Sequence, residues 1–182
     1  MQRLLLGVRK ALFCGDFTDP SRVPARAGIY AIFLRNGAEL ASVPFAQDRL
    51  LYIGIAGDSL LKRSHFLHPT SSASTLRRSL GALGVVSGLS PRPRGRDHSA
   101  KNCAHYWFDG PGEGALSCWM KTNLRLRWTC DLPQEKLEEI EKLLIRELEP
   151  VLNIQHARHG FVATLRGHRR RFAKLAKGWP GR

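Results

Sequence analysis

The sequence predicts an α+β fold in which a small antiparallel β-sheet is flanked by helices, with basic N- and C-terminal extensions. Three stretches carry that expectation. The β-prone run GIYAIFLR, Gly28 to Arg35, enters Asn36-Gly37, a pair that favours the positive φ angles of a tight hairpin turn. LRLRWTC alternates Leu124, Leu126, Trp128 and Cys130 with Arg125, Arg127 and Thr129, the period of two expected of a half-buried strand whose basic face stays exposed. Asp131 and Gln134 are spaced as a capping box, with Pro133 in the first turn, ahead of a helix that runs to Glu149 before Pro150.

The other elements follow in chain order. MQRLLLGVRKALF reads as an amphipathic helix within an N-terminal extension over residues 1–27; Arg9 and Lys10 break its apolar run well short of a signal-peptide core or a membrane span. That implies a cytoplasmic protein with no membrane partner. After the hairpin signal, AELASVPF adds a strand or extended loop, and a turn at Gln47-Asp48 leads into LLYIGI. Gly57, Asp58 and Ser59 offer turn and N-cap chemistry to a short helix, LLKRSHF, and the serine-rich TSSAS precedes a second basic helical stretch, TLRRSLGAL. Residues 84–101 mix Gly, Pro and Arg without periodicity, which reads as a surface loop inserted in one domain spanning 28–155. Beyond Asn153 no acidic residue follows. The tail over 156–182 carries eight Lys or Arg, interleaved with Val162, Leu165, Phe172 and Leu175. It fits a basic helix docked by an apolar strip, or a solvated terminus.

With 182 residues, 43% of them hydrophobic, the chain is long enough for one domain with a substantial core, and one domain plus extensions is the expectation. A formal net charge of +14 favours a polyanionic partner, nucleic acid first. Cys14, Cys103, Cys118 and Cys130 lack the close pairing of a zinc site or redox dithiol and read as buried reduced thiols.

The candidate chemistry centres on one carboxylate. At about 100° per residue, Leu137, Leu144, Ile145 and Leu148 all fall within about 60° of Glu141, which puts it in the middle of an apolar helix face. A carboxylate there must be paired or bind a cation, because burying it alone costs several kcal/mol. A salt bridge to arginine and a metal site both satisfy that requirement. Tyr30 and Tyr52 each lie in a strand beside a glycine that allows close approach; taken singly, each reads first as a packed core aromatic and only second as a catalyst.

Taken together, GIY at Gly28 to Tyr30 and YIG at Tyr52 to Gly54 resemble the two name-giving motifs of the GIY-YIG nuclease superfamily. The resemblance continues with Arg63 and with IEKLLIRELEPVLN, which selects Glu141 and Asn153. It departs in three places. The tyrosines stand 22 positions apart, Ile55 occupies a position where a lysine is common, with Lys62 a substitute, and His65 or His68 must serve for an aromatic or histidine one turn after the arginine, His65 being preferred. The resemblance implies a GIY-YIG-like fold with Tyr30, Tyr52, Arg63, His65, Glu141 and Asn153 in the catalytic site, and one Mg²⁺ or Mn²⁺ held by Glu141. It further implies an endonuclease acting on DNA. Lys62, Arg77, Arg78, Arg125, Arg127, Arg169, Arg170 and Arg171 are the candidate nucleic-acid contacts. Two other readings stay open: a nucleic-acid-binding module on the same fold without cleavage, and a structural domain anchored to RNA by its tail.

Overall fold

The computed structural model describes residues 1–40, 43–45, 48–67, 70–130 and 132–181. In chain order its elements are α1 (Gln2–Cys14), β1 (Gly28–Leu34), β2 (Leu50–Ala56), α2 (Leu60–Arg63), α3 (Thr75–Ala82), β3 (Pro91–Arg92), α4 (Ala100–Ala104), β4 (Trp107–Phe108), α5 (Gly110–Asn123), β5 (Leu124–Thr129), α6 (Leu137–Leu148) and α7 (Phe161–Lys177). The architecture is α+β, with a three-stranded antiparallel sheet flanked by helices. No helix among the described residues is long and apolar enough to cross a membrane.

The chain forms two compact units, residues 1–67 with 123–162, and residues 68–122 with 163–182. In the first, strand order is β2-β1-β5. Register puts the direct partners Tyr30 and Trp128, and Ile32, Tyr52 and Leu126, on one face of the sheet; Ala31, Phe33, Arg125 and Arg127 share the other. A register shift between Ile32 and Phe33 leaves Leu51 as the extra residue in β2. The second face is covered by α1, through Val8 and Leu12, and by Leu137, Ile140, Leu144, Ile145 and Leu148 of α6. Each helix buries the apolar stripe that its sequence carries.

Several expectations change here. The exposed basic face of β5 is half-buried instead: Arg127 Nη1 donates to the carbonyls of Leu12 (3.2 Å) and Phe13 (2.7 Å), the free acceptors at the C-terminus of α1. No strand forms between β1 and β2 among the described residues, although Asn36-Gly37 does turn, with Gly37 at φ 81°. Of the expected capping box, Asp131 lies outside the described residues, and Gln134 Nε2 donates to Gly57 O (2.9 Å). α6 stops at Leu148 because Glu149 adopts a left-handed conformation, φ 47° and ψ 53°, that sends its N–H back to Ile145 O before Pro150. Cys103 and Cys130 are buried, but Cys14 and Cys118 are exposed; all four are free thiols.

The second unit is built on a buried charge. Glu113 accepts from Ser71 N (2.6 Å), Ser71 Oγ (2.9 Å), Phe108 N (3.1 Å) and Arg77 Nη2 (2.7 Å). A buried ion pair becomes tolerable when its remaining lone pairs are filled in this way. Around it Tyr106, Phe108 and Phe172 pack with ring centroids 5.7 to 6.1 Å apart. Residues 84–101, expected as a plain surface loop, include β3, which pairs with β4, and the start of α4.

Candidate active site

Tyr30 and Tyr52 rise from neighbouring strands on the same sheet face, their rings stacked at 6.2 Å between centroids with a 28° tilt. The glycines of both motifs make room for close approach. A Cβ on Gly54 would collide with the hydroxyl and Cζ of Tyr30, so that ring can lie over β2 only if residue 54 is glycine. Likewise a Cβ on Gly28 would meet the Thr129 carbonyl and, at 2.9 Å, Leu60 Cδ1.

α2 begins where Ser59 Oγ accepts from Lys62 N (3.2 Å), and ends after one turn at Arg63. Because the helix stops there, His65 sits in the following turn and folds back beneath the tyrosines. Its Nε2 lies 2.7 Å from Tyr30 Oη, and its ring meets both tyrosines edge-on, 5.5 Å from each. The irregular spacing between Arg63 and His65 therefore reflects an early helix end. His68 lies outside the described residues. Lys62 and Arg63 are exposed, while Tyr30, Tyr52 and His65 are buried, at 5%, 9% and 2% exposure.

Burial pushes the Tyr30 phenol well above its usual value of 10.0, and the neighbouring Tyr52 adds to this; Arg63, hydrogen-bonded to it, acts in the opposite direction. Glu141, half-buried on α6, is raised from 4.5 to about 7, first by burial; Arg63 and the Ile55 N–H, which donates to it, favour the ionised form. Glu138, one turn earlier, opposes ionisation as well. Its spacing of three residues from Glu141 makes the two carboxylates neighbours on the helix surface.

Asn153 is engaged by the backbone beside Tyr52. Its Oδ1 accepts from Ile53 N (2.9 Å) and its Nδ2 donates to Ile53 O (2.8 Å), while Leu152 N donates to Leu51 O (2.8 Å). Both ends of the buried amide are thus spent on the outer edge of β2, between Tyr52 and Gly54. In these bonds the Asn153 side chain positions the β2 backbone between the two motif residues.

Among the candidate nucleic-acid contacts, Arg77 and Arg78 are not surface residues. Arg77 is fully buried against Glu113, and Arg78 Nη1 donates to the carbonyls of Ser71 (2.9 Å) and Ser72 (2.6 Å). Arg169 is half-buried and hydrogen-bonds Tyr106; Arg170 and Arg171 are exposed. Arg125 and Arg127 occupy the sheet face opposite that of Tyr30. Sequence reasoning missed Ser64, whose buried Oγ has no hydrogen-bond partner among the described residues and lines the apolar pocket under Tyr30 and His65.

As a metal ligand Glu141 would act almost alone, since no group of three His, Cys, Asp or Glu gathers among the described residues. The site still fits a hard divalent cation. Mg²⁺ commonly takes one or two carboxylates and completes its shell with water and substrate phosphate, and a carboxylate raised to about 7 by burial lacks full compensation from its neighbours.

No curated protein and no solved structure matches the chain. Residues 28–171 match the family model described as the GIY-YIG catalytic domain, a span that holds both tyrosines, Arg63, His65, Glu141 and Asn153. The chain belongs to the GIY-YIG family and, through it, to a superfamily of nucleases that act on nucleic acid.

Proposed function

We propose that this protein is a divalent-metal-dependent endonuclease that hydrolyses DNA phosphodiester bonds. The observation that carries the proposal is the 2.7 Å contact between Tyr30 Oη and His65 Nε2, beside Arg63 and Glu141. Hydrolysis needs a water deprotonated as it attacks, and positive charge where the phosphoryl oxygens gain it. Burial keeps the Tyr30 phenol protonated, so the phenolate is not the resting base. Instead, Tyr30 passes its own proton to His65 Nε2 while its oxygen takes one from water. Imidazole is suited to receive a proton near neutral pH. Arg63, exposed at the mouth of the cluster, clamps the scissile phosphate through its two parallel N–H groups. Tyr52, stacked on Tyr30, orients the same phosphate. Glu141 would hold the cation, which when bound supplies Lewis-acid polarisation of the phosphate. Lys62, next to Arg63 and exposed, takes a flanking phosphate in place of the missing lysine at Ile55.

A cleavage panel tests the reading: supercoiled plasmid, linear duplex, branched and single-stranded oligonucleotides, each with Mg²⁺, Mn²⁺ or EDTA. The expected result is metal-dependent nicking that Glu141→Gln abolishes while DNA affinity stays within about twofold. If the wild-type chain binds every substrate and cleaves none with either metal, the protein is a binding module on this fold. Cleavage by Glu141→Gln at the wild-type rate would remove Glu141 as the ligand.

A further inference from the structure

Behind the sheet, on the face opposite that of Tyr30, lies a cleft of about 460 Å³ lined by Phe13, Phe17, Phe33, Arg49, Arg125 and Arg127, with Asn36 and Asp48 also at its walls. Its volume falls in the roughly 300–1,000 Å³ range of small-ligand pockets. Three guanidinium groups meet here, and none forms an ion pair among the described residues; Asp48 pairs with none of them. Two are fixed by the chain itself. Arg127 Nη1 is held by the carbonyls of Leu12 and Phe13, and Arg49 Nη2 by that of Ala38. The Nε atoms of both are buried donors with no partner among the described residues. The Arg125 guanidinium makes no hydrogen bond to the described residues and stands 4.9 Å from the centroid of Phe17, with that of Arg127 at 3.8 Å.

The backbone is strained where it delivers Arg49. Asp48 and Arg49 both lie in the left-handed region, at φ 44° and 58°. Two consecutive non-glycine residues there are costly, and such strain concentrates at ligand sites. Gathered cations without an ion pair among the described residues, two orphaned Nε donors and a strained turn at one cleft are the chemistry of an anion site. Phe17, 38% exposed at the cleft, adds a flat apolar surface.

We propose that this cleft is a second, non-catalytic site that binds the phosphate of a nucleotide, with the base against Phe17. The site goes beyond cleavage, since it shares no residue with the Tyr30 cluster; only a nucleic-acid strand as the source of the nucleotide rests on the nuclease reading. A free nucleotide offers the same chemistry.

The test uses the full chain in EDTA, so that nothing is cleaved, and titrates it calorimetrically with inorganic phosphate, deoxyadenosine monophosphate and a 5′-phosphorylated oligodeoxyadenylate. All three should bind. Arg125→Gln should weaken phosphate and mononucleotide about tenfold, the loss of one charge-assisted contact, and Arg125→Lys should restore most of it. Phe17→Leu should weaken the mononucleotide and leave inorganic phosphate unchanged. An oligonucleotide bound more tightly than the mononucleotide, with the gain lost in Arg125→Gln, identifies a strand as the occupant; equal affinities identify a free nucleotide. Mononucleotide affinity that is absent, or unaffected by both Arg125→Gln and Phe17→Leu, overturns the site. A chain that binds at this cleft yet cleaves nothing overturns the nuclease reading and leaves the cleft standing.

Discussion

At Tyr30 three demands meet: the hydroxyl must reach His65, the ring must lie over Gly54, and the buried phenol must stay neutral. Replacement by phenylalanine removes only the first. Tyr30→Phe should therefore fold normally and bind DNA within about twofold of wild type, yet lose about 100-fold or more in single-turnover cleavage, the usual size of a general acid–base contribution. Tyr52→Phe should lose less, because the 2.7 Å contact through which the proton passes is made by Tyr30 Oη and His65 Nε2. Equal losses of rate and affinity in both variants would make the tyrosines binding groups. Glu141 predicts a pH effect on stability. Its carboxyl ionises near 4.5 in the unfolded chain and at about 7 in the folded one. Between those values the folded state binds more protons, so stability falls as pH rises from 4.5 to about 7, by at most about 3 kcal/mol. Denaturant unfolding in EDTA across that range should show the fall in wild type and a flatter profile in Glu141→Gln. The same slope in both proteins would assign it to other groups.

At the scale of elements, the edge of β2 is held by a side chain. Asn153 supplies an acceptor and a donor to Ile53, a pattern that a neighbouring strand would otherwise provide. Asn153→Ala should cost about 2–3 kcal/mol of stability, from a buried N–H and C=O left unpaired, with loss of cleavage in proportion to unfolding. A variant of full stability and no activity would place Asn153 among the reacting groups. The helix that presents Glu141 was legible in the sequence because its period and its Pro150 stop are local signals, and β1 and β5 were legible from apolar runs and alternation. His65 was legible only as one of two candidates, since its place depends on where α2 ends. α5 was not legible: Gly110, Gly112 and Gly114 with Pro111 mask a helix that tertiary packing through Leu116 and Met120 maintains. Arg77 misled for a related reason. Its partner Glu113 stands 36 residues away, and nothing local marks a basic helical residue as buried.

Across the whole molecule, charge is the dominant property, and α7 shows how it is organised. On a helical wheel Arg166, Arg170, Arg171, Lys174 and Lys177 share one face, all exposed, while Leu165, Phe172 and Ala176 lie opposite. Leu165 and Ala176 are fully buried and Phe172 packs on Tyr106 and Phe108, so the apolar strip belongs to the core of the second unit; Leu175, expected within that strip, is 51% exposed. Removing the tail would therefore destroy that unit along with the charge. Neutralising the outer face separates the two effects. Each cation that displaces a counterion from duplex DNA adds about 0.9 to the slope of log K against log salt. Combined substitution of Arg166, Arg170, Arg171 and Lys174 by glutamine should therefore make the slope shallower by about 3–4 if all four meet phosphates. The same variant should keep the wild-type unfolding transition, because none of the four side chains is buried, and at saturating protein it should keep the wild-type cleavage pattern. A slope unchanged within error would show that this face does not contact DNA, and that the positive charge of α7 has another purpose.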